Sequence, residues 1–261
     1  MALVTLTTDF GVKDPWVGSM KGVILSICPG AVLVDLSHEI PRHAVAGAAY
    51  VLNRCLKYFP QRTVHLAVVD PGVGSARRPL VCSAHGHYLV GPDNGIFADL
   101  CQSDPTSECF EIAAREFLRT PPAGSPTFQG RDVFAPAAAH LAQGVPLSAF
   151  GPRVSDPARI RTALAVSSVE GEIVWIDRFG NLISNLHPLG PPEHHLAVEV
   201  MGRKAPLVGH YAQGPHALPA ALINSDQVVE IFVNRGDAAA ALGATIGTRI
   251  ALVSAPTRPA T

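Results

Sequence analysis

Several acidic and polar residues stand directly after apolar runs, where their types and spacing could do chemistry. VHLAVVDPGVGSARRPLV, residues 64–81, ends an apolar stretch on Asp70, turns through Pro-Gly-Val-Gly and returns with Arg77 and Arg78. ALVTLT (2–7) ends in Thr8-Asp9-Phe10-Gly11, and the loop GPDNGIF (91–97) places Asp93 and Asn94 after a further run. A carboxylate can accept protons or hydroxyl hydrogen bonds, and a guanidinium can hold it in a fixed fork. For any one of these positions, a helix cap or turn role is the rival reading. That rival is strongest for Asp93-Asn94-Gly95.

These residues matter only if the chain's elements bring strand ends together. ALVTLT, AVLVDL (31–36) and TVHLAVV (63–69) read as buried strands. Between them, residues 15–28, stopped by Pro29-Gly30, and the Ala-rich stretch 43–58 read as helices. Strand alternating with helix at this spacing predicts a parallel sheet covered by helices, whose ligands gather at the carboxyl ends of the strands. LVCSA (80–84) and HYLVG (87–91) add two strands, and RDVFAPAAAHLAQG (131–144) another helix.

The character changes after Pro152, through a polar, irregular stretch at 152–162. EIVWID (172–177), HLAVEVMG (195–202), QVVEIFV (227–233) and TRIALVSA (248–255) then read as strands, with one short helix at 237–243. The Pro-rich patches near 121–126 and 189–192 read as loops. The expectation is an α/β N-terminal domain with a mostly parallel sheet, residues 1–155, and a smaller, mostly-β, barrel-like C-terminal domain, residues 163–261.

With 48% hydrophobic residues and a formal net charge of −1, the chain can bury a sizeable core and offers no basic stripe for nucleic acid. No run approaches the ~20 apolar residues a membrane span needs. MALVTLTTDFG lacks a basic leader and a cleavage site and is not read as a signal peptide. The five cysteines, Cys28, Cys55, Cys82, Cys101 and Cys109, form no C-x-x-C pair and are expected as reduced thiols in a cytoplasmic protein. Walker, dinucleotide, zincin and nucleophile-elbow motifs are missing, and His194-His195 and His85/His87 lack ligand spacing. On these grounds the crevice suits a cationic or hydroxyl-rich small molecule.

Seven motifs, taken in order, resemble one family: TTDFGVKDPWVGSMKGVILSICPG, DLSHEIP, VVDPGVGSARR, GPDNGIF, TFQGRDVFAPAAAHLAQG, IDRFGNLISN and INSDQVVEIFVNRG. The family is the S-adenosyl-L-methionine (SAM) hydroxide adenosyltransferases, the SAM hydrolases, relatives of fluorinase and chlorinase. The resemblance runs from about residue 3 to 255. It implies a metal-free, cofactor-free displacement by water at ribose C5′ that turns SAM into adenosine and L-methionine. It also implies a homotrimer with SAM between one subunit's N-domain and its neighbour's C-domain.

The resemblance further implies residue roles. Asp70 would take a proton from the attacking water, with Arg77 bracing it. Asp9 would bind the ribose hydroxyls, Asn94 and Asp14 would contact the substrate (Asp14 near the methionine end), and Phe128 and Phe179 would pack on adenosine. Asp177 would pair with the methionine ammonium and Asn181 with the adenine edge. Ser225, Asn234 and Arg235 would close the pocket.

One departure stands out. Where the family reads F-H-G-R-D, this chain reads Phe128-Gln129-Gly130-Arg131-Asp132. Glutamine can orient a water but cannot shuttle a proton near neutral pH. The reading adopted has Gln129 orienting the water, with Arg131 and Asp132 bracing the following helix. The alternatives are a SAM- or adenosine-binding protein without turnover, a SAM-dependent halogenase, and a metal hydrolase using Asp9, Asp14 and Asp70.

Overall fold

The computed structural model describes residues 2–119, 126–160, 168–188 and 196–254. The expected loops at 121–125 and 189–192, and His194-His195, lie outside the described residues. The chain divides into two compact units, Met1–Thr162 and Ala163–Thr261, each described by itself.

The first unit is built on β1 (Leu3–Thr8), β2 (Val32–Ser37), β3 (Val64–Val68), β4 (Pro79–Ala84), β5 (His87–Pro92) and β6 (Glu108–Glu111). They form one sheet in the order β2-β1-β3-β5-β4-β6. The β1–β2, β1–β3 and β3–β5 pairs are parallel, whereas β4 runs antiparallel to both β5 and β6. The antiparallel edge follows from the sequence, because the two-residue link His85-Gly86 can only reverse the chain.

Helices α1 (Trp16–Ile27), α2 (Val45–Cys55), α3 (Ala98–Ser103) and α4 (Ala135–Ala142) complete the unit. Met20 and Ile24 of α1 and Ala137, Ala138 and Leu141 of α4 share one core with Val4, Leu6, Leu66 and Val68 of the central strands. The step from β1 to β2 and the step from β2 to β3 move in opposite directions across the sheet. Right-handed crossovers therefore put their helices on opposite faces and leave a crevice at the carboxyl ends of β1 and β3. Asp9 and Asp70 flank that reversal point. The helix expected at 131–144 begins instead with a π-helical turn, Gly130–Phe134, before α4. Such turns insert an extra residue and re-aim side chains.

The second unit contains β7 (Glu170–Ile176), β8 (Leu182–Ser184), β9 (Leu196–Val200), β10 (Arg203–Pro206), β11 (Pro219–Ile223), β12 (Val229–Val233), α5 (Ala238–Leu242) and β13 (Arg249–Ser254). The sheet order is β10-β9-β13-β7-β8-β12-β11, with every strand pair antiparallel. An isolated bridge between Leu207 and Ala221 brings the two ends together, giving a nearly closed barrel around Ile173, Leu182, Val198, Ile231 and Ile250. Asp237 caps α5, accepting from the Ala240 amide at 2.8 Å, and Gly243 ends the helix in the left-handed region. No described helix is long and apolar enough to cross a membrane.

Candidate functional site

Asp70 follows β3, whose five residues are all buried, so the strand fixes where the carboxylate emerges. The Pro71–Gly74 turn brings Arg77 back against it. Arg77 Nε donates to Asp70 Oδ1 at 3.0 Å and Nη2 donates to Oδ2, a bidentate fork. The same Nη2 donates to Gln129 Oε1. The two ionic side chains are only 9% and 5% exposed, so their attraction is poorly screened by solvent. The guanidinium also lies 5.3 Å from the centroid of the Phe134 ring, on the π-helical turn that presents Gln129.

Asp70 and Gln129 line a cavity of about 500 Å³ together with Asp9, Phe10, Trp16 and Phe128. Arg77 is not on its wall; it stands behind Asp70 and Gln129 and joins them. Because Oε1 of Gln129 is taken by Arg77, the amide has its NH₂ to offer the cavity. The wall thus presents an acceptor, Asp70, beside a donor, Gln129, a pair suited to fixing one water molecule.

The rest of the cavity suits a flat ring with hydroxyls attached. Phe128 meets Trp16 edge-to-face at 5.4 Å and Phe10 at 6.0 Å. The Arg131 guanidinium lies 5.0 Å from the Phe128 centroid, so Arg131 lines the cavity as well as forking onto Asp132 at 2.8 and 2.6 Å. Asp9 Oδ2 accepts from the His43 amide at 2.9 Å. His43 holds a left-handed φ of 65°, which aims that amide at Asp9.

The second unit has a cavity of about 520 Å³ lined by Asp177, Phe179, Asn181, Tyr211, Asn234 and Arg235, among others. IDRFGN folds as a tight turn between β7 and β8. Asp177 Oδ1 accepts from the amides of Phe179 (2.8 Å) and Asn181 (2.9 Å), and Oδ2 accepts from Asn181 Nδ2 at 3.0 Å. Gly180 is required at this turn: its φ is 79°, and a Cβ there would sit 2.2 Å from Asp237 Oδ1. The turn leaves Phe179 74% exposed, a platform open to stacking. Tyr211 donates to Glu230 Oε1 at 2.6 Å, and burial together with that carboxylate pushes the phenol's pKa up.

Three expected substrate contacts lie off these walls. Asn94 is turned into the backbone: its Nδ2 donates to the Val69 carbonyl at 2.8 Å and its Oδ1 accepts from the Ile96 amide. It ties the end of β5 to the residue before Asp70. Asp14 sits in the exposed segment before α1, and Ser225 in an exposed turn between β11 and β12. Asp93 is held by Arg78 at 2.8 Å and by the Ala158 amide at 2.6 Å.

Residues unforeseen from the sequence include Phe10, Trp16, Arg42, His43 and Tyr211. Arg42 and His43 lie in the loop after β2 (Val32–Ser37), beyond His38-Glu39-Ile40-Pro41, so they do not stand directly at a strand end as Asp9 does. Tyr211 gave no sign, since it sits in a loop whose position depends on barrel closure.

The geometry agrees with what the chain resembles. Residues 4–151 match the SAM hydroxide adenosyltransferase N-terminal domain and residues 171–251 the C-terminal domain of the same family. An (R)-S-adenosyl-L-methionine hydrolase of Thermus thermophilus is 41% identical, over 97% of this chain and 100% of its own. A fluorinase of Actinoplanes sp. is more distant, 30% identical over 71% of this chain and 72% of its own. A solved structure of an uncharacterized conserved protein from Thermotoga maritima superposes with a TM-score of 0.88 at 33% identity, covering 96% of this chain and all of that one. With both domains matched in order, the chain belongs to the SAM hydroxide adenosyltransferase family.

Proposed function

We propose that this enzyme hydrolyses S-adenosyl-L-methionine to adenosine and L-methionine. The observation that carries the reading is Asp70 and Gln129 on the wall of an aromatic cavity, joined from behind by Arg77. A water held by Gln129 Nε2 and Asp70 is aimed at ribose C5′. The new bond forms between water oxygen and C5′, the C5′–S bond breaks with its electron pair going to sulfur, and the water's proton passes to Asp70. The sulfonium leaves as neutral thioether, so no acid is needed at the leaving group. Asp9 takes the ribose hydroxyls and Phe128 packs on adenosine. Asp177, Phe179, Asn181, Asn234 and Arg235 complete the pocket from a neighbouring subunit's C-terminal domain in a homotrimer.

No metal or cofactor takes part. The Arg77 guanidinium forked onto Asp70 would repel a cation at that place. A halide would meet the Asp70 carboxylate at the nucleophile's place, which disfavours halogenation. The enzyme works in the cytoplasm, where its cysteines stay reduced. Since the Thermus relative is named for the (R) sulfonium epimer, that epimer is the expected substrate here.

Incubation of each SAM epimer in ¹⁸O-water tests this. Adenosine and methionine should appear in equal amounts, faster from the (R) epimer, with label in the adenosine 5′-hydroxyl and no effect of EDTA. SAM bound but intact over hours would favour a binding protein, the reading that Gln129 in place of histidine keeps open. Unlabelled adenosine would refute attack by water at C5′.

A further inference from the structure

Three of the five cysteines converge away from the cavity that holds Asp70. Cys82 on β4 and Cys109 on β6 are register partners across the antiparallel pair. Cys101, on α3, reaches them from the helix covering that edge of the sheet. The sulfurs of Cys101 and Cys109 are 3.8 Å apart, and all three sulfurs lie within 4.8 Å of one another. All are free thiols, with Cys82 and Cys109 buried. They form part of the wall of a separate cavity of about 550 Å³. None of the three lines the cavity of Asp70.

This spacing has a chemical meaning. Three thiolates bound to one ion at a metal–sulfur distance of about 2.3 Å stand roughly 3.8 Å from each other. The observed trio needs side-chain adjustments of an ångström or less to reach that arrangement. Thiolate ligands select soft ions, Zn²⁺ and Cu⁺ above all. Asp93, on the same cavity wall, is committed to Arg78 and the Ala158 amide, so the ligand set is sulfur alone.

We propose that Cys82, Cys101 and Cys109 bind one thiophilic d¹⁰ ion, Zn²⁺ or Cu⁺, through three thiolates, with a further coordination position open to the cavity. Each sulfur gives its proton to solvent on binding. The resulting complex is anionic; Arg159 and Arg153, the latter paired with Glu108 at 3.3 Å, stand on the same cavity wall. The site plays no part in the displacement at C5′.

The test uses the reduced full-length chain, titrated anaerobically with Zn²⁺ in one arm and Cu⁺ in the other. Metal content is measured after gel filtration, affinity by dye competition, and thiol protection by reaction with a thiol reagent. One equivalent of at least one ion should be retained, with three thiols protected. Cys101→Ser should weaken binding by at least about tenfold, as loss of a ligand should exceed the 10- to 100-fold cost of losing even an outer partner. Cys28→Ser and Cys55→Ser should bind as the wild type does. SAM turnover should be unchanged in Cys101→Ser, so failure of this site and failure of the hydrolase reading are distinguishable. No retained ion in either arm, equal affinity in Cys101→Ser, or a Cys101–Cys109 disulfide formed in place of binding would overturn the proposal.

Discussion

Gln129 is the residue at which this chain parts from the family pattern it otherwise follows. Its carbonyl faces Arg77, so its remaining function is donation through the amide NH₂, and it cannot take a proton. If the proton goes to Asp70, then Gln129→His should change kcat by less than about tenfold, because a true general base is worth 10²–10⁴. A gain of a hundredfold or more in steady-state turnover would instead show that histidine is the base and that the natural protein is impaired. The Asp70–Arg77 pair was legible in the sequence because both residues flank one turn. The contact of Arg77 with Gln129 spans 52 positions, and only the family resemblance pointed to it.

The central strands carry polar groups that no periodicity explains. His65 on β3 is fully buried, bonded to Thr5 Oγ1 at 2.8 Å and to His87 Nδ1 at 3.3 Å. Burial, and then the neighbouring His87, lower its pKa to about 3. In the unfolded chain a histidine takes up its proton near pH 6.5. Between about pH 6.5 and 3 the unfolded state therefore binds more protons than the folded one. The stability this group contributes is complete above the unfolded pKa and is lost as pH falls through that window, at up to about 1.4 kcal/mol per pH unit. Urea midpoints at pH 7.5 and 5.5 should fall more for the wild type than for His65→Gln. Equal falls would show that His65 is not the group that titrates.

Long apolar elements such as β1, β3 and α1 were readable from pattern alone, and so were the parallel centre and the barrel-like second domain. The elements missed are short or weakly marked. β8 has three residues, β10 is the polar stretch RKAP, β11 is PAALI with little intrinsic strand preference, and α3 and β6 carry no clear period. Each is fixed by pairing or packing with a distant partner. The cysteine cluster was hidden for the same reason: reading the thiols singly could not show that the β4–β6 register and α3 bring three of them together.

At the scale of the molecule, the two domains carry different parts of the proposed site. If each site joins halves from two subunits, the protein should run at three times the 27.4 kDa chain mass in light scattering. Asp70→Asn and Asp177→Ala, each inactive alone, should complement when co-expressed. About a quarter of wild-type activity is expected, since in a cyclic trimer each site pairs one subunit's half with its neighbour's. A monomeric mass, or no recovery in the mixture, would contradict the shared site.

Asp70 is the group that activates water in this mechanism, and single-turnover kinetics of Asp70→Asn with a parallel measurement of SAM affinity test that role. The substitution keeps the shape but removes the proton acceptor. It should slow the chemical step by about 10²–10⁴ while the Kd for SAM changes by less than about threefold, under 1 kcal/mol. A variant that hydrolyses SAM at close to the wild-type rate would contradict the mechanism.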